Sequence, residues 1–364
     1  MTRRTANRRR LPRLPKDSQA RLTPHLIQLA TNENPLGPSP LAIQAARKAI
    51  AAVNRYPDSD GSELTAALSA RHKVPAQSIL LGNGSTELID FAARAFLRPG
   101  QTAVTSKGSF IVFPMAVRSM GARLLEIPLR EHHFDLDGIA RSVKEDTRLI
   151  YLANPNNPTG TMFSADELDA FLARIPEKIP VILDEAYFEY ADRPGYPRSL
   201  ELFRRDERLL VLRTFSKVYG LAGLRVGYAI GSTPLLAALE RVRLPYNTSG
   251  LAQAAALAAL GDSAHVRRSV EANRAGLRQL SDGLDRLGIH SVPSAANFIL
   301  AEFGYDTAAL CARLAEEGVV VRPMAWMGFP EAIRITVGTH AENNGFLRAL
   351  AGAIRAAGVR PSRS

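Results

Sequence analysis

The chain has 364 residues, of which 46 are Lys or Arg and 35 are Asp or Glu, giving a formal net charge of +11. Apolar residues make up 46% and charged residues 22%, a globular composition that excludes a disordered or fibrous chain, and no apolar run approaches the ~18 residues of a membrane span. The single cysteine, Cys311, excludes a disulfide scaffold or a Cys-based zinc cluster and points to a reducing, cytoplasmic compartment.

The charge is concentrated at the ends. Residues 1–21 carry eight basic side chains and one acid, and residues 355–364 carry three arginines and no acid. The body between them is nearly neutral, so the high net charge is poor support for a nucleic-acid partner. Residues 1–24 read as a basic, mobile arm, and no apolar stretch follows Thr2-Arg3-Arg4 to serve as a signal-peptide core.

Helical and strand patterns alternate from about residue 38 to 230, the signature of an α/β domain with a parallel sheet covered by helices. Pro38-Ser39-Pro40 opens a helix that runs to about residue 53, with Ser39 as N-cap, and Ser62 is expected to cap a second helix to about residue 72. Apolar runs at 79–81, 102–105, 149–153, 181–183, 209–212 and 226–230 predict strands. Helices are expected between them at 87–97 and 165–174, the second starting on the capping-box pattern Ser164-Ala165-Asp166-Glu167. Beyond residue 231 the texture becomes Ala-rich helix, including 263–287. Strands follow near 298–301, 319–322 and 333–337, then a last helix to about residue 357, which together suggest a small α+β domain. The expected division is an N-terminal segment, 25–55, packing on the small domain; a large domain, 56–245; connecting helices, 246–285; and the small C-terminal domain, 286–364.

Four segments carry chemistry. In 214–225, Lys217 follows an apolar strand, with Thr214 and Ser216 just before it and Arg225 eight residues on. An isolated Ser-Lys pair is ordinarily a surface feature, but a lysine at a sheet edge whose amine is partly neutral can form an imine with a carbonyl cofactor, while the hydroxyls and Arg225 suit a phosphate. In 181–187, Asp184 ends an apolar strand, where ligands bind in open α/β sheets, and can hold a pyridine nitrogen protonated. Tyr187 can reach the other edge of such a ring. An Asp-Glu pair after a strand also resembles a Walker B element, but the chain has no G-x-x-x-x-G-K-[ST] loop. In Asn154-Pro155-Asn156-Asn157-Pro158-Thr159-Gly160, the rigid turn presents Asn157 towards a phenolate oxygen, although taken alone it reads equally well as a plain turn. In Gly82-Asn83-Gly84-Ser85-Thr86-Glu87, a glycine turn leads into a helix N-terminus suited to a phosphate, and Glu87 stands where a dinucleotide fingerprint would need glycine.

Together these segments resemble the fold-type I pyridoxal-phosphate-dependent aminotransferases. Within them the resemblance is to the histidinol-phosphate branch, carried also by Thr31-Asn32-Glu33-Asn34-Pro35-Leu36-Gly37-Pro38, Arg55-Tyr56-Pro57-Asp58, Ser294-Ala295-Ala296-Asn297-Phe298 and Ile333-Arg334-Ile335-Thr336-Val337-Gly338. The resemblance implies a large domain with a mostly parallel sheet plus a small α+β domain, and pyridoxal 5'-phosphate as cofactor. Lys217 becomes the Schiff-base lysine that also moves a proton between the substrate Cα and the cofactor. Asp184 pairs with the ring nitrogen, Asn157 and Tyr187 hold the phenolic oxygen, and Phe110 stacks on the ring. Gly84, Ser85, Thr86, Thr214, Ser216 and Arg225 hold the phosphate, and Tyr56 reaches the phosphate in a neighbouring subunit of a homodimer with shared active sites. Arg322 and Arg334 bind substrate anions, and Asn34, Asn247 and Asn297 are further pocket candidates.

The expected substrates are a small-molecule amino donor and keto acceptor, with no nucleic acid and no membrane. The seven histidines show no metal-ligand spacing. Leu36 and Phe110 each lack a tyrosine hydroxyl common in the branch, which keeps open an aromatic or other amino-acid aminotransferase and a threonine-phosphate decarboxylase. A DNA-binding regulator with an aminotransferase-like body would need a winged-helix module of about 60 residues before that body, against about 25 here.

Overall fold

The computed structural model describes residues 26–191 and 194–357; the basic arm expected at 1–24 and the last seven residues lie outside that range. The main sheet has seven strands in the order β2-β8-β7-β6-β5-β3-β4. These are β2 (Ile79–Gly82), β3 (Thr102–Ser106), β4 (Arg123–Ile127), β5 (Thr147–Ala153), β6 (Val181–Asp184), β7 (Leu209–Thr214) and β8 (Gly227–Ile230). All run parallel except β8, which is antiparallel to both its neighbours.

Every residue of β6 and β7 is buried, as continuous apolar runs covered on both faces require. One face packs on helices that include Ser85–Phe96, Val112–Ser119 and Ala165–Leu172. The other packs on Ser62–His72 and Gly250–Gly261. Strand β4 and the helix Val112–Ser119 are absent from the sequence reading, because Arg123 and Glu126 interrupt the edge strand and the helix carries its own proline, Pro114.

The small domain has a four-stranded antiparallel sheet, ordered β12-β13-β10-β9, from β9 (His290–Val292), β10 (Phe298–Glu302), β12 (Arg322–Met324) and β13 (Phe329–Thr336). Its core lies against the helices Ser263–Arg286, Ala308–Glu316 and His340–Ala357. The run expected as one strand at 319–322 divides. Its first half, β11 (Val319–Val320), pairs in parallel with β1 (Ile27–Gln28), while β12 joins the small sheet.

Local chemistry explains several boundaries. Ser39 caps the helix Pro40–Ala49 by accepting from Leu41 N, and Ser164 and Glu167 form both halves of a capping box. Ser62 is not a cap: Gly61 takes that place at φ +55°, and Asp58 Oδ2 accepts from Ser62 N at 2.8 Å. Only the start of segment 25–55 lies on the small domain; its helix Pro40–Ala49 packs on Gly250–Gly261, whose alanines belong to the core of the large sheet.

Candidate active site

The C-terminal ends of β5, β6 and β7 open onto a cavity of about 440 Å³ lined from both domains. Lys217 lies three residues beyond β7, and its Nζ donates to the carbonyls of Thr31 (3.4 Å) and Asn32 (3.2 Å). Burial, then the positive charges of Arg334 and Arg225, lower its pKa to about 8, against the opposing pull of Glu33 and Asp184. An amine so placed gives up its proton far more readily than an exposed lysine, which is what imine chemistry or proton transfer requires.

Asp184, the last residue of β6, accepts a hydrogen bond on Oδ2 from Tyr151 Oη (2.7 Å) and one on Oδ1 from Ala186 N (3.2 Å). Burial pushes its carboxyl up to about 6 although both hydrogen bonds favour the ionised form. A carboxylate in this position is stabilised by any cationic donor that enters the cavity. Tyr187 accepts from Asn32 Nδ2 at 3.0 Å and is braced edge-on by Phe298. Asn157 is held through Oδ1 by Arg334 Nη1 at 2.6 Å, so its Nδ2 remains to donate. Phe110 lines the apolar wall.

One end of the cavity is an anion cup. The helix Ser85–Phe96 starts after Gly84, at φ +74°, with no side-chain cap, so the N–H groups of its first turn meet the cavity unblocked. Thr214 Oγ1 and Ser216 Oγ lie 2.9 Å apart, and Arg225 Nη1 donates to Ser216 Oγ at 3.3 Å. A Cβ on Gly84 would collide with the Arg225 guanidinium, and one on Gly227 would come 2.6 Å from Ser85 N. The two glycines therefore let a cation and a helix N-terminus share one small space. Among the described residues, Arg225 has no carboxylate partner. A phosphate ester fits this donor set, and Lys217 and Asp184 lie along the same cavity.

The opposite wall carries two arginines. Arg322 and Arg334 face each other across β12 and β13, and both donate to Ala30 O, at 3.3 Å from Arg322 Nε and 2.7 Å from Arg334 Nη2. Arg334 is 7% exposed, its Nε has no partner, and burial lowers its pKa to about 10. No described carboxylate pairs with it, so an incoming anion meets a cation already stripped of water.

Four expected positions lie elsewhere. Asn34 is turned into the protein, donating to Val218 O (2.7 Å) and Ser269 Oγ (2.8 Å). Asn297 stands behind the cavity and donates to Asn32 O at 3.0 Å, fixing the carbonyl that Lys217 also uses. Asn247 and Tyr56 line a separate, more open hollow, where Asn247 donates to Glu87 Oε2 at 2.6 Å and Tyr56 stacks on Tyr246 with ring centroids 4.7 Å apart. The side-chain N–H groups of Asn34, Asn297 and Asn247 thus all donate to protein acceptors, while Asn297 Oδ1 is buried without a partner. Two further residues touch the site without a local signal of their own in the sequence. Asn32 lies in a loop with no chemical pattern of its own, and Tyr151 lies mid-strand among apolar neighbours, where nothing in the pattern separates a cavity-facing hydroxyl from a core ring.

A mostly parallel sheet with a lysine, a carboxylate and an anion cup at its strand ends defines an α/β enzyme built to handle a phosphorylated carbonyl cofactor. The chain belongs to the aminotransferase class I and II family, whose pattern it matches over residues 24–350. It is 46% identical to histidinol-phosphate aminotransferase 1 of Cupriavidus pinatubonensis, over 91% of this chain and 89% of that one. It is 47% identical to histidinol-phosphate aminotransferase 2 of Ralstonia nicotianae, over 90% and 89%. Among solved structures, histidinol-phosphate aminotransferase from Sinorhizobium meliloti in complex with pyridoxal-5'-phosphate superposes with a TM-score of 0.86, at 30% identity and 91% coverage of both chains.

Proposed function

We infer that the protein transfers the amino group between L-histidinol phosphate and 2-oxoglutarate, giving imidazole-acetol phosphate and L-glutamate. The observation that carries this reading is one cavity in which a proton-labile lysine lies between an anion cup and a buried arginine without a carboxylate partner. The relatives that span nine-tenths of the chain support the substrate assignment.

When bound, pyridoxal phosphate supplies the electron sink that stabilises negative charge at the substrate Cα and carries nitrogen between the two half-reactions. In this reading Ser85, Thr86, Thr214, Ser216 and Arg225 hold its phosphate, and Asp184 keeps the ring nitrogen protonated. Tyr187 and Asn157 direct hydrogen bonds at the phenolic oxygen, and Phe110 covers the ring. Tyr151 fixes the Asp184 carboxylate and Asn32 fixes the Tyr187 hydroxyl. Lys217 Nζ takes the proton from the substrate Cα and returns it, a task its lowered pKa suits near neutral pH. Arg334, with Arg322 opposite, orients the substrate's anionic group.

A homodimer with shared active sites belongs to the same reading. All eight exposed large apolar side chains among the described residues fall within 36–56 and 244–246, around the hollow that holds Tyr56. Such a patch calls for a second copy to cover it. A cytoplasmic location accords with the lone thiol, and no described helix is long and apolar enough to cross a membrane.

The test is a half-reaction screen that follows the visible absorbance of the bound cofactor on adding histidinol phosphate, phenylalanine, tyrosine or threonine phosphate. Conversion at lowest concentration by histidinol phosphate is the expected result. Preference for an aromatic amino acid, or release of carbon dioxide from threonine phosphate, would overturn the substrate assignment.

A further inference from the structure

Behind the cavity floor lies a buried ionic network for which the proposed chemistry has no use. Side chains alternate along a strand, so where Asp184 and Thr214 face the cavity, their neighbours Glu185 and Arg213 point to the other side of the sheet. The Glu185 side chain is fully buried and that of Arg213 is 5% exposed. Arg213 donates to Glu185 Oε2 through Nε (3.0 Å) and Nη2 (2.8 Å), and Ser199 Oγ donates to the same oxygen at 2.9 Å. Tyr196 donates its hydroxyl to Asn154 O and lies 3.4 Å from Glu185 Oε1. The Arg213 guanidinium is packed 3.5 Å above the ring of Phe188. Backbone bonds continue the tie, from Asn154 N to Asp184 O (2.9 Å) and from Glu185 N to Leu212 O (2.8 Å).

The network therefore joins the ends of β5, β6 and β7, and each end leads directly into a cavity segment. Asn154 starts the turn that presents Asn157, Glu185 separates Asp184 from Tyr187, and Arg213 precedes Thr214, Ser216 and Lys217. Stability alone does not account for it, because a buried ion pair gains little over an apolar pair of the same volume. What an apolar pair lacks is direction: a planar guanidinium fork fixes the orientation of the strand ends it joins.

We propose that Glu185, Arg213 and Tyr196 are positioning residues, which hold Asp184, Asn157 and Lys217 at the spacing their joint action on cofactor and substrate requires. This rests on the roles assigned above to Lys217 and Asp184. The test keeps the two apart, since cofactor affinity is read with no amino donor present and turnover is read with whichever donor the wild type accepts.

The experiment compares the wild type with the volume-matched double variant Glu185→Met/Arg213→Met. The cofactor-free double variant is expected to melt below the wild type yet in one cooperative transition, because the apolar pair fills the space while Ser199, Tyr196 and Glu189 lose a polar partner. Its dissociation constant for pyridoxal phosphate, from absorbance titration, rises about 10-fold, and kcat falls about 100-fold while KM for the donor moves less than about threefold. A folded double variant with cofactor affinity and kcat within about twofold of the wild type would overturn the proposal. Should the double variant not fold, Tyr196→Phe removes only the hydroxyl between Asn154 and Glu185; a roughly threefold or greater loss of cofactor affinity is then expected, and unchanged affinity overturns the proposal.

Discussion

Two concave regions lie side by side in this molecule and share Arg225, yet they are built on opposite plans. The cavity around Lys217 is floored by buried strand ends, and its polar groups are tied by hydrogen bonds to other parts of the same chain. The hollow around Tyr56 is rimmed by exposed apolar side chains, with Tyr56 82% exposed and stacked on Tyr246. The first is preorganised by contacts within the chain. The second is open, and its tyrosine is presented outward.

Substitutions can break that contrast, and the largest effect belongs to the floor. Lys217→Ala should lower turnover by at least about 10⁴-fold, because no other described lysine lines the cavity to move the Cα proton. Steady-state rates with saturating cofactor measure this, and activity within tenfold of the wild type would remove the lysine from the mechanism. Asp184→Asn should keep most of the cofactor affinity and lose about 10²- to 10³-fold in kcat, since it removes charge and leaves shape.

Next in size is the arginine wall. Arg334→Gln should raise KM for the anionic substrate by about 10- to 100-fold. It should also move the acid limb of the pH–rate profile to higher pH. The Arg334 charge helps to lower the Lys217 pKa, so losing it favours the protonated amine and postpones the neutral form to more alkaline solution.

The smallest effect tests the hollow. Val53→Asp together with Leu244→Asp, both on the exposed patch, should shift sedimentation towards a monomer and reduce activity about 10-fold at low protein concentration, with little change in melting temperature. A dimer that survives both charges would show that the patch is not the contact surface.

The floor and the hollow also differ in how much of each the sequence reveals. Asp184 and Lys217 are legible because a buried parallel strand is a continuous apolar run, so its C-terminal end can be located to within two residues, and ligands meet open sheets there. Arg225, Ser216 and Thr214 follow from the same strand. The partners of Asn34, Asn247 and Asn297 are not legible, because an asparagine serves a protein acceptor as readily as a ligand, and no local pattern says which it meets. Strand β4 is hidden by charges that an edge strand tolerates. The division of 319–322 between two sheets depends on Ile27 and Gln28, nearly 300 residues earlier, which no local pattern can report.

That long-range pairing has a consequence for the order of assembly. Ala30 O receives Arg334, and Asn32 receives Thr336, across 304 positions of chain. During synthesis the sheet strands and the covering helix Gly250–Gly261 can form and bury their core while the segment at 27–33 still has nothing to pair with on the small domain. Its partners leave the ribosome only near the end, so loop closure of this size makes the two-domain wall the last part of the site to form. A nascent chain arrested before residue 320 would own the lysine, the carboxylate and the anion cup, yet lack the wall that gives them a substrate to act on.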